Sequence, residues 1–396
     1  MNRDEKRVMG MITSSHALVH LFEGVLPPLI PLLIGVFQTD YFHLGLVVTL
    51  FSYTFGLGSL PAGFLADRFG SRPLLSFFLF GSGVTAVWIS VSGSLLSYAV
   101  LMALVGFFCS TSHPAANTLI SHAIREKGKA FGINGIAGSL GVAVAPALSA
   151  WLGTAAGWRS PHVLFGLGAI FVGVYSVTLK RIPGAPSTRP VPRGTDAAAP
   201  GIPYLKLFLF YASATILGLT YKGIMTFLPA YMGENVRLSF LDLNTVSLGG
   251  TVATLALLSG ALGQYVAGRL IDRYAPEKVY LASVWMGTFF VFAMAFSSSL
   301  ALIASSVCYA FLYFSIQPTQ NYLISRYLPA HRQGLGFGLH FSLTFGVGST
   351  SAAFSGYLAD HFGLHSVFYA MGICFALASL LLFFLVRTSE KPAPPR

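Results

Sequence analysis

Twelve apolar stretches, each long enough to cross a lipid bilayer, leave this chain very few folds. They run approximately over residues 9–36, 44–65, 73–92, 96–119, 130–153, 162–179, 204–229, 246–267, 279–297, 300–323, 334–358 and 364–386. A crossing helix needs about 20 apolar residues. Only 9% of residues are charged, against roughly 25% in a soluble domain, so a water-soluble globular fold is excluded. Backbone amides in lipid must be paired internally, and a barrel would show alternating runs of about ten residues instead of continuous apolar ones. The segments therefore read as helices.

The formal charge of +11 reflects topology and does not point to a nucleic-acid partner. Of 24 Lys and Arg, 21 lie in the N-terminus, the even-numbered loops, the central linker or the C-terminus. Arg159 and Arg237 stand in the opposite loops, and Lys222 lies inside segment 7. The positive-inside rule then places both termini in the cytoplasm. Segment 1 is too long for a signal peptide and lacks a small-residue cleavage site, so it reads as a retained helix. Cys109, Cys308 and Cys374 sit in apolar segments without metal-ligand spacing and read as buried packing residues.

The chain contains one unit twice. Gly63-Phe-Leu-Ala-Asp67-Arg68-Phe-Gly70-Ser-Arg72 returns 205 residues later as Gly268-Arg-Leu-Ile-Asp272-Arg273. Pro114, Asn117 and Leu119-Ile-Ser121 return as Pro318, Asn321 and Leu323-Ile-Ser325, while Phe131-Gly132, Leu152 and Gly157 return as Phe337-Gly338, Leu358 and Gly363. Residues 1–180 and 204–396 are thus two six-helix bundles. They are joined by a cytoplasmic linker at 181–203, rich in Pro and Arg. Parallel repeats of this kind hold a transport site between them, near the midplane.

The doubled loop resembles the loop between helices 2 and 3 of the major facilitator superfamily, and the resemblance extends over the whole chain. It implies an all-α fold of twelve crossings in two parallel bundles, and a gate locked on the cytoplasmic side by Gly63, Asp67, Arg68, Gly70 and Arg72 with Gly268, Asp272 and Arg273. From the residues themselves, Gly63 permits close helix approach, and Asp67 can cap a helix N-terminus or pair with Arg68 or Arg72. Two positions depart from the motif: Ser71 stands where a basic residue is usual, and Ala275 where Gly is usual.

Segment 1 is the most unusual. His16, His20 and Glu23 fall at offsets of four and seven, which stacks them on one helical face. Pro27 shares that face and cannot donate to the Glu23 carbonyl, and Pro28 and Pro31 free further carbonyls. Ionisable groups at membrane depth face a cavity by default; the bland alternative is a protonated Glu23 against a neighbouring helix. Segment 7 carries Tyr211, Thr215, Gly218 and Lys222 along one stripe. Lys222 has three readings: a pair with Glu23 across the cavity, a site for an anionic group, or snorkelling to the outer surface. His113 and Asn117 on segment 4, with Gln317, Gln320 and Asn321 on segment 10, complete the outline of a polar cavity.

Segment 5 presents Gly132, Gly141 and Ala145-Pro146, small residues that let helices pack closely. This pattern resembles the antiporter motif of drug:proton exporters in the superfamily. Ser15-His16, Pro31-Leu-Leu33, His113-Pro114 and the Gly-rich segment 5 resemble its fosmidomycin-resistance branch. That branch has acidic residues where His20 and Ala115 stand, and Met102 replaces an arginine found in many proton-coupled exporters.

No phosphate-binding loop, nucleophile elbow or metal triad is legible, so no enzyme, cofactor or metal site is expected. The expectation is a monomeric secondary transporter in a bacterial-type inner membrane. It would be a proton-coupled exporter of a small amphipathic or anionic compound. An uptake symporter or uniporter of the same fold, and a non-transporting membrane sensor on a transporter scaffold, are the alternatives.

Overall fold

The computed structural model describes residues 1–179, 202–238 and 242–390, so most of the linker expected at 181–203 lies outside the described residues. The first crossing is α1 (Arg3–Gly24), a 3-10 turn at Pro27–Leu29, and α2 (Ile30–Phe37). Then follow α3 (Tyr41–Phe69), α4 (Ser71–Trp88), the pair α5 (Leu95–Cys109) and α6 (Ser112–Ala123), α7 (Lys127–Ala156) and α8 (Ser160–Thr178). The second half comprises α9 (Tyr204–Asn235), α10 (Thr245–Ile271), α11 (Pro276–Phe296), α12 (Ser299–Tyr327), a broken eleventh crossing and α15 (His365–Glu390). That broken crossing is α13 (Ala330–Phe341), a π turn at Ser342–Gly346, a 3-10 turn at Val347–Ser349, and α14 (Thr350–Phe362).

Local chemistry sets many of the ends. Asn2 and Glu5 form a reciprocal capping box on α1, Asp40 accepts from the His43 amide at 2.8 Å, and Asn244 accepts from the Ser247 amide at 2.9 Å. Pro27 and Pro28 remove two amide donors and split the first crossing where the sequence places the break.

The internal repeat is visible in backbone detail. Gly157 and Gly363, 206 residues apart, both end a helix at positive φ, +86° and +81°. Just beyond them the hydroxyls of Ser160 and Ser366 donate to the carbonyls of Leu152 and Leu358. The loop repeat is less faithful. Gly70 turns at φ +86°, whereas Ala275 is extended and α11 begins with Pro276.

Large apolar side chains face outward, Phe171 at 75% and Phe296 at 77% exposure, as a lipid-facing surface requires. The halves seal against each other chiefly through α3 with the eleventh crossing and α7 with α10. At the end away from the termini, Asp360 accepts from the Tyr41 and Phe42 amides at 3.0 and 2.8 Å, and the Tyr41 hydroxyl donates to Glu234. Deeper, the Thr49 hydroxyl donates to the Ser349 carbonyl, and a Cβ on Gly250 would lie 2.6 Å from the Pro146 carbonyl oxygen. Glycine is required there because backbone meets backbone.

Candidate functional site

Below that seal, toward the end carrying the termini, the halves part around a cavity of about 1040 Å³ including its mouth. A smaller cavity that shares His20, Val142 and Tyr221 with it adjoins as an apex, lined by an ion pair between the halves: the Lys222 ammonium contacts the Glu23 carboxylate, with side chains only 5% and 9% exposed. The other Glu23 oxygen accepts from His20 Nδ1 at 3.0 Å. The ammonium also lies 5.4 Å from the Phe345 ring and 5.7 Å from that of Tyr221, so cation–π attraction adds to the pair. Pro27, on the same face, lines this apex.

Three imidazoles stand beside it. His16 and His20 rings are 5.0 Å apart, and His113 from α6 lies 5.0 and 5.4 Å from them. The stacking of His16, His20 and Glu23 follows from helical spacing, while the arrival of His113 depends on how α6 packs on α1. His16 and His20 line the cavity.

Segment 10 places Gln317, Gln320 and Asn321 at the cavity wall. Gln317 accepts from Gln264 at 3.1 Å, and Gln317 and Asn321 are exposed although their helix is apolar. Gln320 is buried and donates to the Tyr280 hydroxyl at 2.6 Å. Asn117, the repeat mate of Asn321, is exposed but is not among the residues lining the cavity.

Segment 7 corrects the expected register. Tyr211 donates to the Gly336 carbonyl at 3.0 Å, Thr215 donates back to Tyr211, and Gly218 packs against Thr344 of the broken crossing. Their stripe is a packing face, and Ala214, Leu217 and Tyr221 line the cavity instead. The helix is rotated so that only Lys222 of the expected set reaches the site. Gln264, Ser139, Tyr313 and His340 also line the wall. These residues are not among those expected from the sequence, although Tyr313 stands one turn before Gln317 on the same helix.

On segment 5, a Cβ on Gly141 would lie 2.6 Å from the Ala17 carbonyl oxygen, Ala145 is buried against Gly24, and the Pro146 carbonyl meets Gly250. Gly132 has open space around it and is not part of the contact. The same holds for Gly63 and Gly268 of the loop motif, so neither provides the close approach expected of Gly63.

Arg72 holds the end of α8 within its own half, donating to the carbonyls of Ser176 and Val177 at 2.9 and 2.8 Å, as a cation at a helix C-terminus should. Arg68 is exposed and stacks over Phe69, Asp272 and Arg273 are exposed, and the Asp67 side chain lies outside the described residues. In the second loop the buried carboxylate is Glu277, which accepts from Tyr327 and faces Arg326 at 3.6 Å. Among the cysteines only Cys109 is buried; Cys308 and Cys374 are half-buried, contrary to the packing role expected of all three.

Comparison with known proteins agrees with this architecture. The family model described as Major Facilitator Superfamily matches residues 12–243 and 210–396. The multidrug efflux pump Tap of Mycolicibacterium fortuitum is 27% identical over 357 residues, covering 84% of this chain and 85% of the pump. The probable sulfoacetate transporter SauU of Cupriavidus necator is 27% identical over 250 residues, 58% of this chain. In that match the chain spans 56% of the relative's length. A solved bacterial homologue of the human lysosomal transporter Spinster, inward-facing and occupied, superposes with a TM-score of 0.79 at 15% identity over 100% of both chains, a likeness of fold alone.

Proposed function

The chain belongs to the Major Facilitator Superfamily, and from that premise we propose that it is a proton-coupled exporter of a small amphipathic or anionic compound, working as a monomer in a bacterial inner membrane by alternating access. Membership makes it a multi-pass membrane transporter and not an enzyme. The observation that carries the finer reading is the buried Lys222–Glu23 pair joining the halves at the cavity apex.

A substrate carboxylate, sulfonate or phosphonate entering the cavity competes with Glu23 for the Lys222 ammonium. Glu23 then loses its cation while still buried, and an unpaired buried charge costs several kcal/mol. A proton relieves that cost, so anion and proton occupy the apex in linked fashion. Because the pair bridges the halves, opening it also weakens the contact that must break for the cavity to change sides. With the termini cytoplasmic, the cavity faces the cytoplasm, the side from which an exporter loads.

Export draws support from the efflux pump's match along most of the chain and from the small-residue packing of α7. Uptake of a small organic anion is the second reading, favoured by the sulfoacetate relative. The deciding experiment reconstitutes the protein in oriented vesicles with an imposed pH gradient and follows sulfoacetate, other small sulfonates and carboxylates, and amphipathic drugs. Glu23→Gln should abolish gradient-driven accumulation and leave counterflow intact. Accumulation by that variant at the wild-type rate would remove Glu23 from the coupling.

A further inference from the structure

We propose that His16, His20 and His113 form a binding site for a divalent transition-metal ion of the zinc class, opening into the transport cavity. One nitrogen from each of the three rings lies within 4.8 Å of those from the other two. His16 Nε2 and His20 Nε2 are 3.3 Å apart. Two nitrogens bound to one tetrahedral zinc at about 2.0–2.1 Å are separated by about 3.3–3.4 Å, so these two already stand at a chelate's bite. Histidines at i and i+4 supply that bite from a single helix turn.

The tautomers agree with the geometry. His16 Nδ1 lies 2.7 Å from the Asn134 carbonyl, which can only accept, so this nitrogen carries the proton. His20 Nδ1 faces the Glu23 carboxylate, itself paired with Lys222, and likewise donates. With the proton of each ring on Nδ1, a pair of neutral imidazoles turns Nε2 lone pairs toward each other. Two acceptors at that distance repel unless a cation sits between them. A carbonyl and a carboxylate on the far nitrogens are the outer-shell partners that fix imidazole ligands and raise their basicity. His113 arrives from a different helix, edge-on to His16, with one ring nitrogen within 4.8 Å of one from each of the other two.

The donor set selects the ion. Imidazole nitrogen suits zinc, cobalt, nickel and copper, whereas magnesium and calcium require oxygen. With three protein donors the fourth position is open, and His16 and His20 both border the cavity. A water or a donor atom of a bound anion would fill it. The site stands on ring geometry, independently of the direction or coupling of transport.

Binding can be measured without transport. The protein is purified in detergent, stripped with a chelator, and titrated with zinc in a calorimeter; cobalt is then added as a spectroscopic probe. One equivalent of zinc should bind and raise the melting temperature, and cobalt should give the intense visible bands of a tetrahedral or five-coordinate site. Magnesium and calcium should do neither. His16→Ala and His20→Ala should each weaken zinc binding by more than tenfold, and Glu23→Gln by about 10-fold or more through the His20 contact. A variant whose metal-free form does not fold is replaced by His113→Asn, which removes one donor from another helix. Zinc binding unchanged in these variants, an equal response to calcium, or cobalt spectra of a hexaaqua type would overturn the proposal, and the facing nitrogens would then share only a proton.

Discussion

Replacing Lys222 by Met removes the cation from a pair that is almost wholly buried and leaves the Glu23 carboxylate in place. Two unit charges about 4 Å apart interact by about 4 kcal/mol at an effective permittivity near 20. Stripping one partner from a buried pair typically costs 3–5 kcal/mol. Glu23 keeps its 3.0 Å bond from His20 Nδ1 and borders the cavity, so Lys222→Met belongs at the low end, about 3 kcal/mol by the same rule. Glu23→Gln should cost less, about 2 kcal/mol, because Phe345 and Tyr221 still face the ammonium and the Gln carbonyl can still accept from His20. The double variant buries no unpaired charge. It should recover about 2–3 kcal/mol relative to the sum of the singles. Melting of the four proteins in one detergent, without added anions, gives the cycle directly: wild type highest, Glu23→Gln and the double variant close together below it, Lys222→Met lowest. Additive losses would show that the two side chains are not partners, and Lys222 would then be held for a substrate anion. Repeating the melts with small sulfonates tests whether Lys222 also takes the substrate anion, since stabilisation by the anion should then vanish in Lys222→Met.

Three further changes test the seal and the gate. Asp360→Asn weakens the cap that one half places on the α3 N-terminus of the other; a loss of about 1–2 kcal/mol in this state should raise cysteine labelling from the far side, and unchanged labelling would remove Asp360 from the seal. Gly250→Leu inserts a side chain where a Cβ already meets the Pro146 carbonyl oxygen. It should prevent closure of α7 on α10 at a cost of about 1–3 kcal/mol, read as a longer spin-label distance across the far end; an unaltered distance would refute it. Asp67→Asn should shift the population toward the state open on the termini side by about 1–3 kcal/mol, if the loop locks that side in the opposite state. Identical accessibility from both sides in the variant would end that assignment.

Much of the architecture is legible in local sequence because its causes are local. Hydropathy alone sets where a segment enters and leaves the bilayer, so twelve crossings can be counted before any contact is known. Pro27 and Pro28 break the first crossing by withholding amide donors, and the residues repeated at offsets near 205 foretell Gly157 and Gly363 ending equivalent helices. Stacking His16, His20 and Glu23 on one face needs only 3.6 residues per turn. What spacing cannot supply is the rotation of each helix about its own axis. In a soluble helix the apolar stripe fixes that rotation, but a membrane helix is apolar all round and its pattern marks no inward face. Tyr211 and Thr215 therefore read as cavity residues from their spacing with Lys222, whereas packing of Gly218 on Thr344 turns them against the broken crossing and brings Tyr221 inward. The position of His113 beside two histidines about a hundred residues away, the choice of Glu23 as partner for Lys222, and the π turn that splits the eleventh crossing are decided the same way, by close backbone contacts between helices that no single segment encodes.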